Sequence, residues 1–291
     1  MQPLWFLSEL NIMNKHISFE FFPAKTEQGT ANLITTSQTL GQLNPEFFSV
    51  TFGAGGSDQE RTLNTVLSIQ KESGIPTASH LTCVGSSRER IGDILDTYKA
   101  NNINRIVALR GDLPIGVDDP GEFQFADELV SFIREHSGDY FHIEVAAYPE
   151  KHPQSIDHQT DLNNFVKKVN AGANSAITQY FYNTDAYSYF VDECAAAGAD
   201  IPIIPGIMPI GNFQNLSRFS DGCGAEIPRW LRVRLETYED DPQSLRAFAD
   251  DYITEMCLTL IKRGAPGLHF YSMNQVEPNQ QICNDVIKNI G

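Results

Sequence analysis

The sequence has no closely paired cysteines. Its five, Cys83, Cys194, Cys223, Cys257 and Cys283, stand far apart, and none forms a CxxC pair. An odd number at such spacing fits neither a disulfide framework nor a zinc knuckle, so reduced thiols in the cytoplasm are the expectation. Long apolar runs are missing too, with none near the roughly 18 residues that suggest a membrane span. The apolar residues at 4–7 lack a basic flank and a long hydrophobic stretch, which makes a poor signal peptide; Met13 offers an alternative start. Basic residues are scarce: 21 Lys and Arg against 37 Asp and Glu give a formal net charge of −16. Such a surface repels nucleic-acid phosphates and anionic membranes, so neither is expected as a partner. Any anionic ligand must find a local cluster of cations. HxH and HExxH spacings, a GxSxG elbow and a Walker loop are absent, so no metal site, serine hydrolase or P-loop is read.

What is present is a rhythm. Short runs rich in Ile, Val, Phe, Tyr and Thr occur at 16–23, 47–54, 77–83, 105–112, 142–149, 175–182, 201–209 and 267–274. Between them lie segments with helical periodicity, among them 33–43, 61–71, 88–100, 126–135, 161–169 and 244–261. Gly74 and Gly198 stand where helix-ending glycines belong. Strand–helix alternation repeated eight times predicts parallel βαβ units and a (β/α)8 TIM barrel as a single domain. An open doubly wound sheet is the alternative, but the first strand is not followed by GxGxxG. The cluster "GAGGSD" at 53–58 reads as a βα loop, and 220–230 as an insertion within the barrel. The expected organisation is an N-terminal arm over 1–15 and a barrel over 16–291, with no further regulatory domain.

Barrel active sites sit at the C-terminal ends of the strands. The polar residues there are Glu20, Thr51, His80, Arg110 with Asp112, Tyr148, Gln179 and Tyr271; strand seven offers only Gly206 and Met208. Alternation puts Ser18 with Glu20 on one face, and Ala108, Arg110 and Asp112 on one face against Val107 and Leu109. The small and polar face is expected to look inward. Each residue also has a structural reading: Glu20 paired with Arg110, His80 as a satisfied core histidine, the tyrosines as barrel fillers. Seven strands ending in polar groups favours a ligand, because buried polar groups need partners. After strand five, Asp161, Asn164 and Lys168 share a helical face beside Lys167, either a solvated face or a clamp for an anion such as a diphosphate.

The motifs "SFEFFP" (18–23), "HLTC" (80–83), "ALRGD" (108–112), "AAYPE" (146–150), "AGANSAITQ" (171–179), "PGIMP" (205–209) and "HFYSMN" (269–274) resemble, in order, methylenetetrahydrofolate reductase of the bacterial type. The likeness runs from about Ile17 to the C-terminal helix. It implies a flavin barrel that takes hydride from NADH or NADPH onto FAD and passes it to methylenetetrahydrofolate, supplying methyl groups for methionine synthesis. The bacterial likeness favours NADH. It also implies a homo-oligomer, a tetramer in the family.

Carried over by position, the resemblance gives Glu20 the role of general acid and Asp112 that of an acid beside flavin and pterin. Thr51, Phe52, Ala54, His80, Arg110, Gly111, Asp112, Phe125, Ala126, Tyr148, His152, Asp161, Asn164, Lys167 and Lys168 are similar to residues that hold FAD. Glu20, Asp112, Gln179, Phe219, Tyr271 and Gln275 are similar to substrate contacts, with Phe219 stacking on a substrate ring. Two positions depart from the family pattern: Gln275 stands where many members have Arg, and Asn215 where many have Gln. Losing an arginine removes a bidentate carboxylate partner, so the change bears on the folate glutamate tail. Two other readings stand beside this one: a different flavin barrel oxidoreductase of the proline-dehydrogenase kind, and a non-catalytic ligand-binding barrel.

Overall fold

The computed structural model describes residues 17–52, 56–113, 121–238 and 240–290. The expected arm at 1–15 and Ala54 therefore lie outside the described residues. Strands and helices alternate as β1 (Ile17–Phe21), α1 (Glu27–Gly41), β2 (Phe47–Val50), α2 (Gly56–Ser73), β3 (Thr77–Thr82), α3 (Arg88–Ala100), β4 (Arg105–Leu109), α4 (Ala126–Ser137), β5 (His142–Ala147), α5 (His158–Asn170), β6 (Ser175–Thr178) and α6 (Thr184–Ala196). There follow β7 (Ile203–Ile204), β8 (Gly206–Ile207), α7 (Phe213–Cys223), α8 (Arg229–Thr237), α9 (Pro242–Lys262), β9 (Leu268–Tyr271) and α10 (Asn279–Ile290).

Local chemistry sets many of these boundaries. Thr26, Ser87, Asp157 and Asp241 cap α1, α3, α5 and α9, each side chain accepting from a backbone N–H of the first turn. Gly74 and Gly198 follow α2 and α6 with φ of +73° and +81°, as the sequence predicts. The irregular stretch at 220–230 is the junction of two added helices, α7 and α8, placed before the barrel helix α9.

All strand pairings are parallel, in the order β7-β6-β5-β4-β3-β2-β1-β9-β8. The two ends of this order are consecutive in the chain. The seventh run is one expected strand divided at Pro205, which has no N–H to give to a ladder. Its first half pairs with β6 and its second with β9, so the sheet closes as the expected (β/α)8 barrel.

The outward faces of the strands, including Phe19, Phe48, Leu81, Ile106 and Val145, pack in one core with the helices. Phe47, Ala78, Val107 and Ile177, with Leu109, form a separate cluster inside the barrel. This corrects the face expected for β4. Val107 pairs in register with His80 and with Glu144, so Val107 and Leu109 look inward while Ala108 packs outward in the main core.

The barrel floor is a polar plug. Arg105 lies 2.6 Å from Glu46 and 3.1 Å from Glu144, with its guanidinium 4.1 Å from the Phe47 ring centroid. Ser175 donates to Glu144 at 2.5 Å, and His142 Nε2 sits 3.1 Å from the same carboxyl. Glu144 is buried, and removing a partner from such a charge costs more than forming the pair gains.

Gly206 is the tight point of closure. A Cβ there would lie 2.1 Å from the Thr178 carbonyl oxygen and 2.7 Å from the Tyr271 ring. Gly206→Ala should therefore cost about 3 kcal/mol or prevent folding, read by urea denaturation. Gly211→Ala, with nothing within 4 Å of its added carbon, should stay within about 0.5 kcal/mol of the parent.

Candidate active site

The C-terminal ends of the strands surround a cavity of about 960 Å³. Of the residues expected there, Glu20, Thr51, Phe52, His80, Gly111, Asp112, Tyr148, Gln179, Phe219 and Tyr271 line it. The alternation that brings them together is visible in the register: Glu20 pairs with Tyr271 across β1 and β9, and His80 stands beside Val107 across β3 and β4.

Glu20 does not pair with Arg110. Its Oε2 faces His80 Nε2 at 3.3 Å and His269 Nε2 at 3.9 Å. Both imidazole nitrogens are buried and neither has a hydrogen-bond partner. Burial holds the His80 pKa below its ordinary value, with Glu20 opposing that shift. A neutral His80 is thus favoured beside the carboxyl.

Arg110 and Asp112 separate. Arg110 donates to the Gly111 carbonyl at 3.1 Å and to Gln154 at 2.6 Å, away from the cavity lining. Gly111 has φ +84°, and a Cβ there would meet the Thr82 and Val84 side chains at 2.9 and 3.0 Å. This left-handed turn breaks the two-residue alternation and returns Asp112 to the cavity wall. The shared inward face expected for Ala108, Arg110 and Asp112 does not form.

Beside the cavity lies a connected set on β5 and α5. The Tyr148 ring stands edge-on to His152 at 4.5 Å. Asp161 accepts from the His152 backbone N–H at 2.8 Å and from Ser155 at 3.0 Å. Lys167 reaches Asn164 at 3.4 Å, and Lys168 Nζ donates to the Ala146 carbonyl at 2.5 Å. Burial lowers the Lys168 pKa to about 8, with Asp161 opposing. Burial pushes the Tyr148 hydroxyl up to about 12, with Asp161 and Asp112 adding to the effect. Phe125, exposed at 52 %, caps α4 next to Ala126, with neither among the cavity-lining residues.

On the opposite wall, Tyr271 donates to the Thr178 carbonyl at 2.7 Å, and Gln179 accepts from the Tyr180 N–H through its own side chain. Phe219 projects from α7, 40 % exposed, with the Arg218 guanidinium 5.6 Å from its ring centroid. Asn215 accepts from Arg218 at 3.2 Å. Gln275 is exposed, uses its backbone for turn hydrogen bonds with Ser272 and Asn279, and does not line the cavity.

Sequence reasoning missed Gln59, Ser86, Arg90, Tyr180, Cys223 and Met273, which also line the cavity. These sit on loops, in the first turns of α2 and α3, or on α7, where no strand period marks them. His269 was legible in principle, since it precedes Tyr271 by two on the inward face of β9. Among the described residues no cluster of three or more His, Cys, Asp or Glu could hold a metal ion, and no helix is long and apolar enough to cross a membrane.

Comparisons with known proteins agree with this architecture. The profile of the family described as methylenetetrahydrofolate reductase matches residues 7–287. The 5,10-methylenetetrahydrofolate reductases of Salmonella typhimurium and Escherichia coli are each 38% identical over 269 residues, covering 92% of this chain and 90% of their own. An Arabidopsis thaliana protein named methylenetetrahydrofolate reductase (NADH) 1 is 40% identical over 270 residues, covering 88% of this chain and 46% of its own length. A solved Clostridium thermocellum protein, described as binding two copies of 5-methyl-5,6,7,8-tetrahydrofolic acid, matches with a TM-score of 0.65 at 16% identity, over 97% of both chains. That last likeness bears on the fold alone. With a family profile spanning nearly the whole length and relatives at this identity over nine-tenths of it, the chain belongs to the methylenetetrahydrofolate reductase family.

Proposed function

We propose that this protein reduces 5,10-methylenetetrahydrofolate to 5-methyltetrahydrofolate, using FAD and NADH or NADPH, and so supplies methyl groups for methionine synthesis. The observation that carries this reading is Glu20: a carboxyl on the cavity wall, backed by two buried imidazole nitrogens without other partners. The reaction needs a proton on a weakly basic ring nitrogen of the folate as its C–N bond opens. A carboxylic acid on the cavity wall beside two imidazoles is suited to deliver it.

The residues present fit the cofactor. Gly111 holds a left-handed turn on the cavity wall that a side chain would crowd against Thr82 and Val84, and Lys168 is a half-buried ammonium whose only hydrogen-bond acceptor among the described residues is a carbonyl. Lys168, Lys167, Asn164 and Asp161 would hold the diphosphate and ribose end, while Thr51, His80, Asp112 and Tyr148 would hold the ring end. Arg110, turned outward, would serve the diphosphate side. When bound, FAD accepts a hydride from the nicotinamide dinucleotide and returns it to the folate, so one site serves both substrates in turn.

The chain's own part is placement and proton handling. Glu20 gives a proton to the folate nitrogen, and the electron pair of that O–H bond stays on the carboxylate. Asp112 would accept from the pterin N–H groups. Gln179 and Tyr271 line the wall against which either substrate would rest, and Phe219 offers a ring face over it.

Three outcomes test this reading. Glu20→Gln should keep NADH-driven flavin reduction and slow folate-driven reoxidation by about 100-fold or more, measured by anaerobic stopped flow; equal losses in both steps would remove the acid role. Asp112→Asn should raise the flavin midpoint potential, because a carboxylate disfavours an anionic reduced ring, and should weaken folate binding; an unchanged potential in a dye-linked titration argues against it. Lys168→Met should weaken FAD binding about 10- to 100-fold in a fluorescence titration.

The same substitution should stabilise the cofactor-free protein by roughly 1–3 kcal/mol near pH 7. The Lys168 pKa, about 8 when folded, lies below the unfolded value, so the folded state resists protonation. The cost of burying the charge is present below pH 8 and disappears as pH rises through the unfolded lysine range. The stability gap between variant and parent should close over that window in urea melts taken across pH.

A further inference from the structure

Helix α7 carries Phe219, the ring offered over the cavity, and is one of the two helices added before α9. A turn of α7 about its own axis would carry that ring off the cavity, so its rotation must be fixed by contacts outside the barrel repeat. Phe219 and Cys223 are four residues apart, share one helical face and line the cavity. Leu216 and Ser220 lie buried on the neighbouring face. At mid-helix, Ser220 Oγ and the hydroxyl of Tyr180, another cavity residue, are 3.1 Å apart.

Two further ties lie at the C-terminal end of α7. Gly224 ends the helix with φ +76°, and a Cβ there would lie 2.8 Å from Cγ of Pro153. The helix end therefore rests directly on the loop between β5 and α5. Two residues on, the Glu226 backbone N–H donates to Glu150 Oε2 at 2.7 Å. Glu150 stands in that same loop, two residues after Tyr148 of the cavity wall. Ala225 and Ile227, on either side of the donor, are buried, so the N–H is held at one point and aimed at one acceptor. Burial raises the Glu150 carboxyl to about 7, with the Glu226 N–H opposing and the Glu226 carboxylate adding to the rise. Ionised or neutral, Glu150 still offers an accepting oxygen, so its reach matters more than its charge.

We propose that Glu150 is a positioning residue for Phe219: by accepting the Glu226 N–H it fixes the end of α7 to the β5–α5 loop, and so sets the Phe219 ring over the cavity. This inference rests on the substrate role proposed for Phe219. Glu150 is not among the cavity-lining residues, so its effect passes through the seating of α7. A ring face against a flat substrate is worth up to about a factor of 10 in binding, and that factor is what the Glu150 contact secures.

The test uses the full flavin-loaded protein, with flavin reoxidation by methylenetetrahydrofolate followed in stopped flow across substrate concentration. Glu150→Asp keeps the charge but is one carbon shorter, so its oxygen falls short of the N–H. The half-saturating folate concentration should rise about 5- to 10-fold, while the limiting rate stays within about twofold. Glu150→Gln keeps the reach and an accepting oxygen without the charge, and should restore the parent value. Phe219→Ala should show the same rise as Glu150→Asp. The two substitutions together should be no worse than Phe219→Ala alone, because the Glu150 contact acts only through that ring.

A second readout needs no turnover. With 4-fluorophenylalanine replacing phenylalanine and Phe219→Leu identifying the resonance, the parent should show one ¹⁹F line for Phe219. Glu150→Asp should shift or broaden that line, and Glu150→Gln should return it. An unmoved half-saturation in Glu150→Asp, no recovery in Glu150→Gln, multiplied effects in the double variant, or an unchanged ¹⁹F line overturns the proposal. If the parent shows no folate-driven reoxidation at all, the assigned reaction fails instead. The ¹⁹F line then decides the dependence of Phe219 on Glu150 by itself.

Discussion

Closure of the barrel at Pro205 is the constraint on which the rest depends. A sheet that closes must give its last strand two neighbours, and here one short run is divided to do so. Ile203–Ile204 pairs with β6 and Gly206–Ile207 with β9. Proline interrupts the ladder between them, and the missing side chain of Gly206 lets Tyr271 cross to the Thr178 carbonyl. One contact thus joins the seam of the barrel to the wall of the cavity. The geometry of that wall is set by backbone closure before any ligand enters.

The barrel interior is layered by polarity. At the floor, Arg105 and Glu144 bury charge in a fully partnered network. Above them, Phe47, Ala78, Val107 and Ile177 form a thin apolar layer. Above that again, Glu20, His80 and His269 meet with imidazole nitrogens left unpartnered. The contrast is physical: the floor satisfies its hydrogen bonds within itself, and the upper layer leaves imidazole nitrogens without partners beside the cavity. The apolar layer between them keeps Arg105 from pairing with Glu20, which would remove the carboxyl from service.

Much of the site could be read from strand periods. Thr51, His80, Tyr148, Gln179 and Tyr271 all follow from counting two along a strand that ends at the barrel mouth. The expectation failed for Arg110 because the inward face of β4 is that of Val107 and Leu109, so Arg110 looks outward with Ala108. The positive φ at Gly111 then resets the alternation, so Asp112 faces the cavity. Tyr180, Cys223 and Arg90 had no signal, since loop and helix-terminal residues carry no period that relates them to a distant cavity. Gln275, read as a substrate-contact position, stays outside the lining, where the turn after β9 ties up its backbone.

The sequence by itself determined the fold class, the run of helices and strands, and the identity of the family. Those depend on local propensity, apolar alternation and short ordered motifs, all of which are written along the chain. Only the tertiary structure decided which groups face each other: that Glu20 looks to His80 and His269 in place of Arg110, that Lys168 ends half-buried against a carbonyl, and that Gly206 must be glycine. These are contacts between residues up to about 250 positions apart. They follow from register and closure, which no local pattern encodes.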